Sequence, residues 1–394
     1  MHHAGSDEDP RERDRVDVGR TVSVERKHQH EEENWDLKLV ADVVGDLADV
    51  VGPGVVVEGG HLGIDGARGA SAVFELAETD EQQDDQNDLS HEWPEDEVLV
   101  HGSWENIMPT VSSVGVVGVS LLVAFGVAWA SGDHAATLFG LRLTIWCAAL
   151  AFVVQWVAFV PAYAKQTERF YDLTGSLTYM GVTLFALLAS GSSDVRSLVL
   201  TALVLLWAGR LGSFLFRRIH REGSDPRFDG IKPSARRFFL AWTLQGLWVF
   251  LTLCAALAAM TALQPTPLSV RDAVGVLIWA AGFGIEVVAD RQKSAHRKAH
   301  PGHFIDSGLW AWSRHPNYFG EIVLWAGIAV IASSTLRGWQ WLTMISPVFV
   351  AFLLTKVSGI PILEKRADDR WGSEPAYKRY KSETPVLLPR PPRR

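Results

Sequence analysis

The sequence predicts an all-α fold, a polytopic membrane helix bundle of about eight transmembrane helices preceded by a disordered acidic N-terminal extension. Three observations carry that expectation. From Pro109 onward the chain holds about eight apolar runs, each near the roughly 20 residues that span a bilayer. The connections between them alternate between basic and nearly uncharged. The charge balance also breaks near residue 108. Residues 1–108 hold 8 Lys+Arg against 28 Asp+Glu and the remainder holds 29 against 17, so the net charge of -8 describes neither part.

In chain order, residues 1–108 read as a low-order extension and 109–394 as the membrane domain. Asp7 to Arg26 is a mixed charge run, and Asp80 to Glu97 is acidic and rich in Gln. Such segments bury too little apolar surface to offset the entropy of ordering them. Leu37–Val57 and Val73–Leu76 carry some apolar residues and read as a weak helix or strands. Met108 stands directly before the first apolar run and is a candidate start, with a regulatory tail as the other reading. The charged N-terminus has no early apolar region, so no cleavable signal peptide is expected.

The apolar runs fall near 109–131, 138–161, 173–190, 195–216, 238–263, 269–289, 319–336 and 341–359. Lys165 and Arg169 follow the second run, and a group from Arg217 to Arg237 follows the fourth. The Asp290–Arg314 segment follows the sixth, and a basic C-terminus follows the eighth. Positive loops stay on the cytoplasmic side, which places these connections and both termini there. Trp339 and Trp341 fit an interfacial belt on the far side.

Chemistry concentrates between Ile285 and Glu321, where Asp290, Arg291, Lys293, Arg297, Lys298 and Arg314 mingle with histidines and aromatic residues. A polar segment between two membrane helices sits at the surface or lines a cavity. Guanidinium groups beside aromatic rings suit a ligand with phosphates and flat rings, whereas the plainer reading is a basic loop that sets topology. Glu286 and Asp290 share a helix face, and Asp290 and Arg297 line one cavity wall if the helix continues. Arg210 lies about two helical turns inside the fourth run, where a charge needs a partner unless it snorkels to the headgroups. Asp172 opens the third run, either complementing the helix dipole or forming an acid site with Tyr171.

Other chemistries are poorly served. Pro301 interrupts the helix between His300 and His303, and no carboxylate completes a metal signature, so no metal is expected. Gly282 and Gly284 lack a third glycine at dinucleotide-fold spacing and read as close helix packing. There is no P-loop, G-x-S-x-G or HExxH. The basic residues lie between membrane spans, which argues against nucleic acid. Cys147 and Cys254 sit in apolar runs as small core residues.

The segments ADRQKSAHRKA, SGLWAWSRHPNYFGEIVLW and GIPILEKRADDRWGSEPAYKRYKSETP, with FYDLTG, WAGRLGSFLFRRI and GSDPRF, resemble the DUF1295 branch of the steroid 5-alpha-reductase superfamily. The resemblance covers roughly 110–390. It implies an enzyme of the bacterial inner membrane with an NADPH cavity open to the cytoplasm. It also implies an oxidoreductase acting on CH–CH groups, with hydride transfer to a conjugated C=C of a lipophilic sterol, terpenoid or acyl substrate. The positions matching its cofactor pattern are Arg210, Asp290, Arg297, Asn317 and Glu321, with Arg314, His315, Tyr318 and Trp325 beside them. The reductases polarise their substrate with a tyrosine just upstream of the arginine matching Arg210, paired with a glutamate. Trp207 holds that place here, so the expected acid is Asp172, Tyr171 or Tyr179. RHPNYFGE also resembles the RHPxYxG of isoprenylcysteine methyltransferases, which keeps a methyltransferase binding S-adenosylmethionine as an alternative. A non-catalytic lipid-binding scaffold is the third reading.

Overall fold

The computed structural model describes residues 113–392 apart from position 265, and the expected acidic extension lies outside the described residues. The chain is a polytopic membrane helix bundle. The long helices are α1 (Ser113–Ser131), α2 (Leu143–Ala164), α3 (Tyr171–Ser190), α4 (Val195–Glu222), α5 (Ala235–Met260) and α6 (Val270–Ala299). Helix α7 (Pro316–Ala332) is shorter but apolar. Three short helices close the chain: α8 (Ile345–Phe352), α9 (Ile360–Trp371) and α10 (Pro375–Glu383).

The expected runs map onto these elements with two differences. Helix α6 continues past the apolar run to Ala299 and stops at His300, next to Pro301, whose ring cannot continue a helix. The eighth run is not one α-helix. It passes from a 3-10 turn at Gly338–Met344 through α8 to a π-helical turn at Leu353–Val357. A small feature departs from the all-α expectation. Thr137–Leu138 and Leu141–Arg142 form a tight hairpin, because Phe139 and Gly140 both take positive φ, the requirement of a two-residue hairpin turn.

Helix α5 runs through the middle. Every residue from Val249 to Met260 is buried, as expected of a helix that is apolar all round. Helices α1, α2, α3, α7 and α8 pack on it. Helices α6 and α7 form the closest pair, and glycines explain why. An added Cβ at Gly320 would lie 2.6 Å from the Gly282 carbonyl oxygen, and one at Gly327 2.7 Å from the Gly275 carbonyl oxygen. Without side chains at these points, the two backbones approach directly, as small residues permit in membranes. The glycine pattern is therefore helix packing at Gly282. Gly284, by contrast, has open space beside it.

At one end of the bundle, Arg196 is buried and donates to both carboxylate oxygens of Asp272, at 2.6 and 3.0 Å, and to the Pro267 carbonyl at 2.9 Å. The pair joins the first turns of α4 and α6, and each ion there is buried against its partner. At the other end, residues 384–390 run back along the loop before α7. Arg314 N donates to Pro385 O at 2.9 Å, and Arg390 N to Trp312 O at 2.9 Å. The Ser313 hydroxyl bonds Leu387 O at 2.9 Å, and Tyr380 bonds Trp310 O at 2.8 Å. Phe304 packs against Trp371, Tyr377 and Tyr380, so α9 and α10 cover the 300–315 loop.

Candidate functional site

The Gly282–Gly320 contact brings the polar end of α6 against the start of α7. Glu286 and Asp290 follow Gly282 at one- and two-turn spacing, while Asn317 and Glu321 flank Gly320. Helix α4 supplies Arg210 from the opposite side. Its Nη1 donates to Glu286 Oε1 and its Nη2 to Asp290 Oδ2. Asn317 Nδ2 donates to Asp290 Oδ1 at 3.2 Å. Glu286 is 3% exposed, and its Oε2 has no hydrogen-bond partner in the protein. Glu321 lies within electrostatic reach of Asp290, Arg210 and Glu286. Three carboxyl groups therefore converge on one guanidinium. Arg210 and Asn317 satisfy one oxygen of Glu286 and both of Asp290, which offsets part of the cost of burying these two groups. It also means that Arg210 is already held by carboxylates and is poorly placed to receive a phosphate.

A layer of aromatic rings lies one helical turn further along the same faces. Trp207 precedes Arg210 on α4 by three residues, and Trp325 follows Glu321 on α7 by four. Tyr179, from α3, completes the group. Ring centroids are 5.0 Å apart for Tyr179–Trp207, 4.9 Å for Trp207–Trp325 and 6.0 Å for Tyr179–Trp325. Glu321 is within electrostatic reach of Tyr179.

A cationic group flanks the acids on the other side. Lys293 and Arg297 lie one and two turns beyond Asp290 on α6. Lys293 Nζ sits 4.9 Å from the Trp310 ring centroid, and Trp310 is anchored by its Nε1 on Ala289 O at 3.0 Å. Lys293 is in electrostatic reach of Arg297 and Arg218, with Asp290 as an opposing charge. Tyr318 reaches the same field, being influenced by Glu321, Arg227, Arg218 and Asp290. This cluster of like charges is the part of the site suited to a polyanion.

The structure separates the other candidates. Tyr171 donates its hydroxyl to Ala241 O at 2.9 Å and packs on Phe228 and Trp242. Asp172 pairs with Arg218 at 3.3 Å and lies 4.0 Å from Arg227. Both belong to a network that folds the 223–234 loop. In it Asp225 N donates to Glu168 at 2.8 Å and Lys232 pairs with Glu168 at 2.7 Å. Its hydrogen bonds and ion pair with Arg227 hold the Asp225 carboxyl below the usual range, against its burial. Of the three expected acids, only Tyr179 stands beside the Arg210 cluster.

Arg314 and His315 serve the roof. Arg314 Nη2 lies 3.2 Å from Glu364, and its Nη1 donates to Lys381 O at 2.7 Å. His315 Nε2 meets Glu364 Oε1 at 2.8 Å, and its ring stacks on Tyr318 at 5.8 Å. Burial pulls the His315 imidazole below the usual histidine range, outweighing Glu364, which pulls the other way. The folded chain therefore holds His315 neutral while the unfolded chain protonates it below about pH 6.5. Stability is present above that pH and declines below it, by at most about 1.4 kcal/mol per pH unit from this group. The thermal-unfolding midpoint should fall from about pH 7.5 to about pH 5.5, and His315→Gln should shrink that fall. An equal fall in both proteins would show that His315 does not carry the proton.

Sequence reading missed Lys293 and Arg218 as site residues, although the spacing of Asp290, Lys293 and Arg297 puts them near one helix face. Two surface depressions lie outside the acid cluster. One, of about 480 Å³, is at Thr266, Ser269 and Ser334, and one, of about 330 Å³, is beside His296 and His300. Among the described residues, no three His, Cys, Asp or Glu side chains gather as a metal site.

Comparison with known proteins gives a consistent but functionally silent result. The family model described as "Protein of unknown function (DUF1295)" matches residues 158–384, more than half of the chain. An uncharacterized protein of Schizosaccharomyces pombe is 22% identical over 227 residues, covering 50% of this chain and 64% of the yeast protein. The chain thus spans less than two thirds of that relative's length. No solved structure matches the chain.

Proposed function

The chain belongs to the DUF1295 family, and we propose that it is an integral-membrane NADPH-dependent reductase that saturates a conjugated C=C of a lipid. The observation that carries this reading is the side-by-side arrangement of two unlike groups on α6 and α7. Lys293 and Arg297 form a cationic field, with Arg218 in electrostatic reach although paired with Asp172, and Asp290, Asn317 and Glu321 form a hydrogen-bonding field next to it. A nicotinamide dinucleotide has that polarity, with phosphates at one part and an uncharged amide ring at the other. The extra 2'-phosphate of NADPH suits several convergent cations better than NADH does.

The residues divide the work accordingly. Arg297 and Lys293 hold phosphates. Asn317 offers a donor and an acceptor to the carboxamide, and the partner-free Glu286 Oε2 can accept from a hydroxyl or amide. NADPH, when bound, supplies the hydride. Tyr179 gives a proton to the substrate, and Glu321 stands within electrostatic reach to restore it. Burial of Tyr179 and its neighbours excludes bulk water from that step. The reading places this end of the bundle, with the basic connections and both chain ends, in the cytoplasm, and the bacterial inner membrane is the expected location. Lipophilic substrates then arrive from the bilayer and the cofactor from the opposite, aqueous side.

The test is thermal stabilisation of detergent-purified protein by NADPH, NADH and S-adenosylmethionine, because a ligand that binds only the folded state raises its stability by about 2.7 kcal/mol at a hundred times Kd. NADPH should shift the midpoint most, NADH less and S-adenosylmethionine not at all. Arg297→Ala should weaken NADPH binding roughly ten- to a hundredfold, the loss of one charge-assisted phosphate contact. Ser294→Ala, one turn away, should not. A shift with S-adenosylmethionine alone would favour the methyltransferase, and no shift with any of the three would favour the lipid-binding scaffold.

A further inference from the structure

The seam between α2 and α5 carries a wall of aromatic rings separate from the Arg210 cluster. The Phe159 ring centroid stands 5.2 Å from that of Phe239 and 5.6 Å from that of Tyr163, and Trp156 stacks on Phe239 at 5.8 Å. Trp156 Nε1 donates to Thr243 Oγ1 at 3.1 Å, which ties the wall together across the two helices. All four rings are half-buried. Beside them on α2, Val157 and Val160 are 66% and 64% exposed. In a membrane bundle, an apolar face of this kind is turned to lipid.

Beyond the wall the surface becomes cationic. Phe239 lies one turn into α5 and Phe159 lies in the last two turns of α2, so their contact sets the two helix ends side by side. Arg236 and Arg237 are in the first turn of α5 and Lys165 follows the last turn of α2, and all three are exposed. Arg236 precedes Phe239 by three residues and Thr243 by seven, so it stands on the wall's own face. Helix electrostatics do not account for the two arginines. The first turn of α5 carries no acid, and cations are disfavoured at that end of a helix.

We infer that this face seats an anionic phospholipid, its phosphate on Arg236, Arg237 and Lys165 and an acyl chain along the aromatic wall. The occupant must be anionic at one end and apolar within one or two helical turns of it. A nucleotide or an acidic peptide would meet the arginines but leave the rings and valines uncovered. A zwitterionic lipid would cover the wall but bring no net counter-charge to the guanidinium groups. Guanidinium donors match the oxygens of a phosphate diester. Tyr163 ends the wall on the side of the cations, where the belt tyrosines of membrane proteins lie. The plainer account is that these cations only snorkel to passing headgroups. The rings favour a seated lipid, because they give its chain a fixed surface directly below the charges. Such a lipid binds whether or not the chain is a reductase, since α2 and α5 contribute nothing to the Arg210 cluster.

The test is thermal unfolding of detergent-purified protein titrated with dioleoylphosphatidylglycerol or dioleoylphosphatidylcholine. The anionic lipid should raise the midpoint at lower concentration, and its advantage should shrink as salt is raised. Arg236→Gln together with Arg237→Gln should weaken phosphatidylglycerol binding about thirtyfold, or about fivefold per cation, and leave the phosphatidylcholine response unchanged. Arg236→Gln alone carries the test if the pair does not fold. Lys365→Gln with Arg366→Gln removes the same charge from exposed positions on α9 and should leave the preference intact. Glycerol 3-phosphate, a headgroup without chains, should not stabilise at the concentrations where the lipid does. The proposal is overturned if the two lipids act at equal concentration, or if the α9 variant loses as much of the preference as the α5 variant. The latter would mean diffuse attraction to a charged surface. Stabilisation by glycerol 3-phosphate at the lipid's concentration would also overturn it, by making this an ion site in which the wall has no part.

Discussion

Gly320→Leu should abolish the folded membrane domain, measured as loss of the monodisperse detergent-solubilised peak and of cooperative unfolding. The reason is where the new atoms would go. A Cβ at this position lies 2.6 Å from the Gly282 carbonyl oxygen and 2.7 Å from the Glu286 amide nitrogen. Both are helix backbone, so no rotamer change relieves the contact. Overpacking against side chains costs about 1–3 kcal/mol, and rigid backbone on both sides puts leucine at or beyond the top of that range. Gly320→Ala gives a graded version whose sign is informative. Helix propensity favours alanine over glycine by about 1 kcal/mol, so propensity alone predicts a gain. The contact predicts a loss. Gly284→Ala is the companion, because nothing lies within 4 Å of its added Cβ, and it should be neutral or stabilising. A stable Gly320→Leu protein would mean that α6 and α7 do not meet at these glycines. The Asn317–Asp290 bond, which that contact positions, would then lose its basis.

Arg210→Leu should lower stability by about 3–5 kcal/mol, the usual result of removing one partner from a buried ion pair. Glu286 and Asp290 would be left without their cation in an enclosed site, at 3% and 9% exposure. The diagnostic result is rescue. Adding Glu286→Gln and Asp290→Asn removes the stranded charges, and the triple variant should recover most of the loss. Single and double variants measured together give the coupling energy between α4 and α6 directly. Arg210→Lys should recover only part, because an ammonium is a point charge and cannot fork across two carboxylates as a guanidinium does. An Arg210→Leu protein that melts with the unaltered one would show that the acids are accommodated without the arginine. The whole polar layer would then need another account.

Several of these residues are legible in the sequence alone. Arg210 stands out as a charge two turns inside an apolar run, and a buried charge demands a partner. Asp290 and Asn317 belong to a polar stretch too conspicuous to be a simple loop, and Trp207 is visible as a residue that cannot donate a proton where a tyrosine is expected. What was not legible was how roles divide among similar candidates. Tyr171, Asp172 and Tyr179 share one helix, but Tyr171 is spent on Ala241 O and Asp172 on Arg218, while Tyr179 turns into the bundle. Arg314 and His315 sit in the most suggestive motif of the chain and are bound by Glu364 and the C-terminal segment.

By itself, then, the sequence determined the class of the molecule and which of its segments are long and apolar enough to cross a bilayer. Bilayer thickness and the inability of lipid to solvate backbone or charge act on every residue separately, so run lengths and loop charges report them without knowledge of neighbours. Tertiary structure decided which faces meet. Arg210 finds carboxylates 76 and 80 residues away on α6, and two glycines let α7 close on that same helix and bring Asn317 to Asp290. Such pairing depends on the shape of both surfaces at once, whereas helical periodicity specifies only the direction in which each surface points.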